Sequence, residues 1–327
     1  MLPQKDLLII IIVLSVVIVA FFIWAVVVTT KHINNSNDND NDNDNDNDND
    51  NASVIHIKFL CLNILTSYKD SSEPPENKWA MRKNSILEMI QTELDADIIG
   101  LCEVADGVQD EWVDENFNDN YNVTKKARTG QSPESTPIIS KDIWNVNDSG
   151  TVQFTPTVPT SYERVYSYQK LERDGFKILA ISTQMCRKER EGTTIPQIEQ
   201  QKEAVVQLAA FINDNSDEYT VIIGGDWNPT WGTYNAASDL SEKTGLELCQ
   251  PVQSGNHGTK AAASLIYTVV DSRLDMGSPF DQILFDSSHL NVVFESIYRY
   301  LRVASSSGND IYNVSDHDAV YAIFSQK

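Results

Sequence analysis

The chain has 327 residues and a formal net charge of −22; seven of its negative charges belong to one Asn-Asp repeat, which leaves −15 on the remainder. A surface that acidic repels polyanions and supplies no counterion release against a nucleic-acid backbone, which argues against a duplex-binding role. Four cysteines, Cys61, Cys102, Cys186 and Cys249, are too few for a disulfide framework in a domain of this size.

Leu7 to Val28 is an apolar run interrupted by nothing more polar than Ser15. It is long enough to span a hydrocarbon core of about 30 Å as a helix, and too long for the apolar part of a cleaved signal peptide. The run predicts a single-pass transmembrane helix over residues 7–28. Lys5 and the terminal amine nearly balance Lys31 and His32 across it. The orientation adopted is N-terminus inside, with the rest of the chain lumenal or extracellular. Residues 29–53 read as a low-complexity linker, because the unbroken Asn-Asp alternation from Asn37 to Asn51 can bury nothing and repels itself.

From Val54 the pattern becomes that of a mixed α/β domain over residues 54–326, short Val/Ile/Phe/Tyr-rich runs alternating with amphipathic segments. The periodicity predicts strands at Val54–Leu62, Asp97–Glu103, Thr136–Ser140, Arg164–Gln169, Lys177–Thr183, Thr220–Gly225, Gln282–Phe285 and Ala319–Phe324. It predicts helices at Lys78–Leu94 and Ile198–Ile212.

Polar residues recur where the apolar runs stop. Asn63 ends the first, Glu103 ends Ala-Asp-Ile-Ile-Gly-Leu-Cys-Glu-Val, and Asp226 and Asn228 end Val-Ile-Ile-Gly-Gly-Asp-Trp-Asn-Pro. Asp281 opens Phe-Asp-Gln-Ile-Leu-Phe, and Asp316 and His317 lie in Ser-Asp-His-Asp-Ala-Val. Singly, each reads as a turn residue or a solvated strand end. As an ordered set they resemble the endonuclease/exonuclease/phosphatase superfamily, across nearly all of Val54–Phe324. Lys141–Gly150 (KDIWNVNDSG), Glu134 before a Pro-Ile strand and Arg164 add to the resemblance.

The resemblance implies a four-layer α/β/β/α sandwich with its cleft at one edge. It implies that Asn63, Glu103 and Asp316 hold Mg²⁺, with Mn²⁺ as the alternative, a hard cation suited to carboxylate and amide oxygens. Asp226 and Asn228 would orient and deprotonate a water, the Asp281–His317 pair would stabilise phosphoryl oxygens, and Arg164 would face the phosphate. The implied reaction is in-line hydrolysis of a phosphate ester, with a lipid headgroup or a nucleic acid as substrate and no obligate protein partner.

The sequence departs from the family at Ile181-Ser182-Thr183-Gln184-Met185, where an Asn-Thr-His is usual. Gln184 can donate a hydrogen bond but cannot deliver a proton, although Glu134, the carboxylate that accompanies the family histidine, is retained. Pro279 and Phe280 precede Asp281, so the inositol 5-phosphatase motif is absent, and His257 is the one stand-in acid the sequence offers. Three readings follow: a membrane-anchored phosphodiesterase or phosphatase acting on a lipid or small phosphoester, a nuclease, and a catalytically impaired binding module.

Overall fold

The computed structural model describes residues 54–73, 75–129, 132–155, 164–186, 194–229, 234–249, 280–298, 301–303 and 311–327. The predicted transmembrane run at 7–28, the predicted linker at 29–53, His257 and Pro279 lie outside the described residues. Among the described residues, no helix is long and apolar enough to cross a membrane.

The chain enters on β1 (His56–Asn63), crosses through helix α1 (Trp79–Glu88) and returns on β2 (Ile98–Cys102). A two-residue β3 (Val104–Ala105), helix α2 (Val108–Phe117), β4 (Tyr121–Thr124), a two-residue β5 (Glu134–Ser135) and β6 (Ile138–Lys141) follow. Then come β7 (Asn145–Gln153), β8 (Val165–Arg173), β9 (Phe176–Gln184), α3 (Thr194–Asn213), β10 (Thr220–Asp226) and α4 (Ala236–Thr244). The C-terminal part supplies β11 (Glu247–Leu248), β12 (Asp281–Phe285), β13 (Leu290–Tyr298), the β14–β15 pair (Leu301–Val303, Ile311–Asn313) and β16 (Ala319–Gln326).

Two six-stranded sheets result, ordered β13-β16-β1-β2-β6-β4 and β11-β12-β10-β9-β8-β7. Alternation along the strands sorts the layers. In β1, Ile57, Phe59 and Cys61 point into an inter-sheet core shared with Ile178, Ala180, Ile222 and Ile283 of the second sheet. Leu60 and Leu62, on the opposite face, pack with Trp79 and Ile86 of α1 and Trp112 of α2. On the far side, Leu179, Ile181, Val221 and Ile223 pack against Val205, Leu208 and Ile212 of α3 and Leu240 of α4. The order is helix, sheet, sheet, helix, as the resemblance implies. Each fully buried Leu or Ile contributes about 1.5–3 kcal/mol, and strands buried on both faces read as continuous apolar runs.

The differences from expectation are local. Helix α1 stops at Glu88 and the predicted span continues as a wider turn over Met89–Glu93, with Leu94 N–H donating to Met89 O at 3.0 Å. The strand predicted to end at Gln169 runs on to Arg173, where Asp174 and Gly175, at φ 51° and 79°, make a tight hairpin into β9.

Candidate active site

Strand direction brings the polar strand ends together. β1 and β2 are parallel, with Asn63 opposite Cys102, so Glu103 follows directly beside Asn63. β9 and β10 are likewise parallel, with Gln184 opposite Asp226. β12 runs antiparallel to β10 and starts at Asp281 opposite Asp226. β16 runs antiparallel to β1, so the turn carrying Asp316 and His317 arrives at the same edge.

One run of close polar contacts joins these residues across both sheets. Arg164 Nη1 donates to Glu134 Oε2 at 3.2 Å and to Gln184 Oε1 at 2.7 Å. Gln184 Nε2 donates to Glu103 Oε1 at 3.3 Å and Asp226 Oδ2 at 3.2 Å. Asn63 Nδ2 donates to Asp226 Oδ2 at 3.0 Å and lies 3.5 Å from His317 Nε2. His317 Nδ1 is 2.6 Å from Asp281 Oδ2. Asn228 N–H donates to Asp226 Oδ1, while its own amide donates to Met185 O, so its side chain is turned to the backbone.

The electrostatics are strong. Burial disfavours the charged His317 ring, but Asp281, helped by Asp316 and Asp226, outweighs it and raises the imidazole well above its ordinary value. Burial also opposes ionisation of Glu103. Lys69, His317, the Asn63 amide and Arg164 together reverse that and hold its carboxyl far below the usual range. Glu103 and Asn228 both adopt left-handed backbone, at φ 59° and 43°. Such strain costs about 1–3 kcal/mol per residue and concentrates at functional sites, although asparagine tolerates it better than most.

Sequence reasoning missed several members. Lys69 Nζ reaches Glu103 Oε2 at 3.2 Å, and Arg128 Nη2 lies 3.5 Å from Glu134 Oε2. Neither carries a local signal, since Lys69 lies in a short turn and Arg128 in a loop. Glu134 reaches Gln184 through Arg164, so the carboxylate does not stand next to the amide as the family pattern suggests.

The donor set fits a hard divalent cation. Four carboxylates (Glu103, Asp226, Asp281, Asp316) and one amide gather at a single edge, and Asp316 Oδ1 is a buried oxygen without a hydrogen-bond partner among the described residues. Ligand atoms of Asp226, Asp281 and His317 lie within 4.8 Å of one another. That trio differs from the implied set of Asn63, Glu103 and Asp316, and two of its members are already bonded to each other. The Asn63 side-chain oxygen Oδ1 accepts from Leu65 N–H at 3.0 Å, which leaves its amino group facing Asp226.

No protein-family profile and no curated protein sequence matches the chain. Solved structures do. An endonuclease/exonuclease/phosphatase family protein from Bacteroides thetaiotaomicron superposes with a TM-score of 0.63 at 16% identity, covering 84% of this chain and 99% of its own. A mannosyl-6-phosphatase from the same organism gives 0.58 at 16% identity, covering 82% and 99%. The human Nocturnin catalytic domain, with a bound sulfate anion, gives 0.59 at 18% identity, covering 84% and 97%. Likeness at such low identity speaks to architecture, and the chain has the endonuclease/exonuclease/phosphatase fold.

Proposed function

We propose that this protein is a divalent-cation-dependent hydrolase of phosphate esters, anchored by Leu7–Val28, with a lipid or small phosphoester as substrate. The observation that carries the reading is the hydrogen-bonded run from Glu134 through Arg164 and Gln184 to Glu103, Asp226 and Asn63, which ends beside a buried imidazole–carboxylate pair. Glu103, Asn63 and Asp316 would hold the cation once Asn63 turned its amide. When bound, Mg²⁺ would neutralise charge on the phosphate and on the leaving oxygen.

The protein's own groups do the rest. Asp226 is held by the Gln184 amide on one oxygen, where the Asn63 amino group also donates before its amide turns, and by Asn228 N–H on the other. It is placed to take a proton as a water oxygen bonds to phosphorus and the ester P–O bond breaks. His317, kept protonated by Asp281, donates towards phosphoryl oxygens as negative charge builds there. Arg164 adds positive charge behind Gln184. Gln184 supplies no proton, so the leaving alkoxide takes one from solvent, and esters with acidic leaving groups are favoured.

The acidic surface and the mannosyl-6-phosphatase of the same fold support a small phosphoester. The apolar run supports a lipid, because anchoring raises local concentration at the bilayer. Full-length protein should hydrolyse bis-p-nitrophenyl phosphate and a sugar phosphate or sphingomyelin in Mg²⁺ and none of them in EDTA. Faster turnover of single-stranded DNA or RNA would replace the substrate class with a nuclease; Mg²⁺ binding without any turnover would leave a binding module. The anchor predicts retention in membranes through alkaline carbonate extraction, and release would remove it.

A further inference from the structure

Arg82 of α1 is fully buried. A charge so placed costs several kcal/mol unless its hydrogen bonds are met. Its fork meets backbone carbonyls: Nε donates to Asn77 O at 2.7 Å, Nη1 to Ile64 O at 2.7 Å and Val314 O at 2.8 Å, and Nη2 to Leu65 O at 3.0 Å. Ile64 and Leu65 directly follow Asn63, and Val314 directly precedes Ser315-Asp316-His317. One guanidinium therefore ties together the two backbone segments that carry Asn63 and His317.

Ser315 makes a second tie between the same segments. Its hydroxyl donates to Asn63 O at 2.6 Å and accepts from His317 N–H at 3.3 Å. The tie holds a strained path, because Leu65 sits at φ 59°. The Leu65 carbonyl also accepts from the buried Gln109 amide at 3.1 Å. A planar fork with five donors suits this task, and a lysine ammonium cannot reproduce its geometry.

We propose that Arg82 and Ser315 are positioning residues that clamp the Asn63 end of β1 to the Asp316–His317 turn, so that the site loosens before the fold does. The inference rests on the proposed function for its metal arm alone.

The test uses the full-length chain with Arg82→Lys and, separately, Ser315→Ala. Three quantities are measured: the fraction folded by circular dichroism in the cold, the low-field proton resonance of the His317–Asp281 hydrogen bond, and Mg²⁺ affinity by calorimetry. The clamp predicts folded variants whose low-field resonance broadens or vanishes. It also predicts Mg²⁺ affinity weaker by about 10–100-fold, the usual effect of losing an outer-shell partner. Folded variants with the wild-type resonance and wild-type Mg²⁺ affinity would overturn it. If Arg82→Lys does not fold, Ser315→Ala, which deletes only a hydroxyl, decides by the same measures. Should the wild-type protein bind no Mg²⁺, the metal reading falls and the resonance alone decides the clamp.

Discussion

Gln184 stands between charges of opposite sign, its carbonyl oxygen on Arg164 and its amino group on Asp226 and Glu103. It is almost wholly buried, so replacing it with a near-isosteric leucine strands polar partners rather than changing volume. Gln184→Leu should lower stability by about 1–3 kcal/mol, the penalty for a buried group left unsatisfied. It should also lower kcat by more than KM can explain; urea melts and steady-state kinetics check both. His317 gives the pH prediction. Its folded value is raised above the unfolded value near 6.5, so its contribution is fully present below that pH and is lost as pH rises through the folded value. In metal-free protein, the stability gap between wild type and His317→Gln should be flat in acid and shrink well above pH 6.5, as read from urea midpoints. Asn63, Glu103, Asp226, Asp281 and His317 were legible because each interrupts or flanks an apolar run. Arg82 and Ser315 were not, because nothing local shows that the Arg82 side chain meets a carbonyl 232 residues away.

Strands buried on both faces were the most legible elements, and all eight predicted strands exist, with shifted ends. Those missed lie at sheet edges or hide apolar positions among charges. Edge strand β7 (NVNDSGTVQ) is polar and largely exposed or half-buried, so hydropathy does not mark it. Helix α2 buries Gln109, Trp112, Val113 and Phe117 at helical spacing, with acidic residues between them. The Asp174-Gly175 pair, a turn dipeptide in the sequence, marks the β8–β9 hairpin. The two glycines of β10 show how closely the elements approach. A methyl on Gly224 would meet the edge of the Phe59 ring at 2.6 Å, whereas on Gly225 it would run into the Thr183 backbone carbonyl of the paired strand. Gly224 faces side-chain atoms, the Phe59 ring and the Cys61 Cβ, which can shift by tenths of an ångström, whereas a ladder carbonyl cannot. Gly225→Ala should therefore destabilise more than Gly224→Ala, by about 3 kcal/mol or more against the 1–3 kcal/mol usual for overpacking, measured as a shift in urea midpoint.

At the scale of the molecule, the strand ends of two sheets make one polar edge on a sandwich with an apolar core. The account stands on a cation held at that edge by Glu103. Glu103→Gln keeps the shape of the side chain and removes the charge that Lys69, Arg164 and a divalent cation would share. The direct test is turnover of bis-p-nitrophenyl phosphate by the full-length wild type and Glu103→Gln in Mg²⁺ and in excess EDTA, alongside calorimetric Mg²⁺ titrations. The account predicts wild-type turnover in Mg²⁺ alone, and loss of both binding and turnover in Glu103→Gln, which stays folded in EDTA but melts below the wild type because Lys69 and Arg164 lose the charge beside them. Equal wild-type turnover with and without EDTA, or a fully active Glu103→Gln, would contradict it.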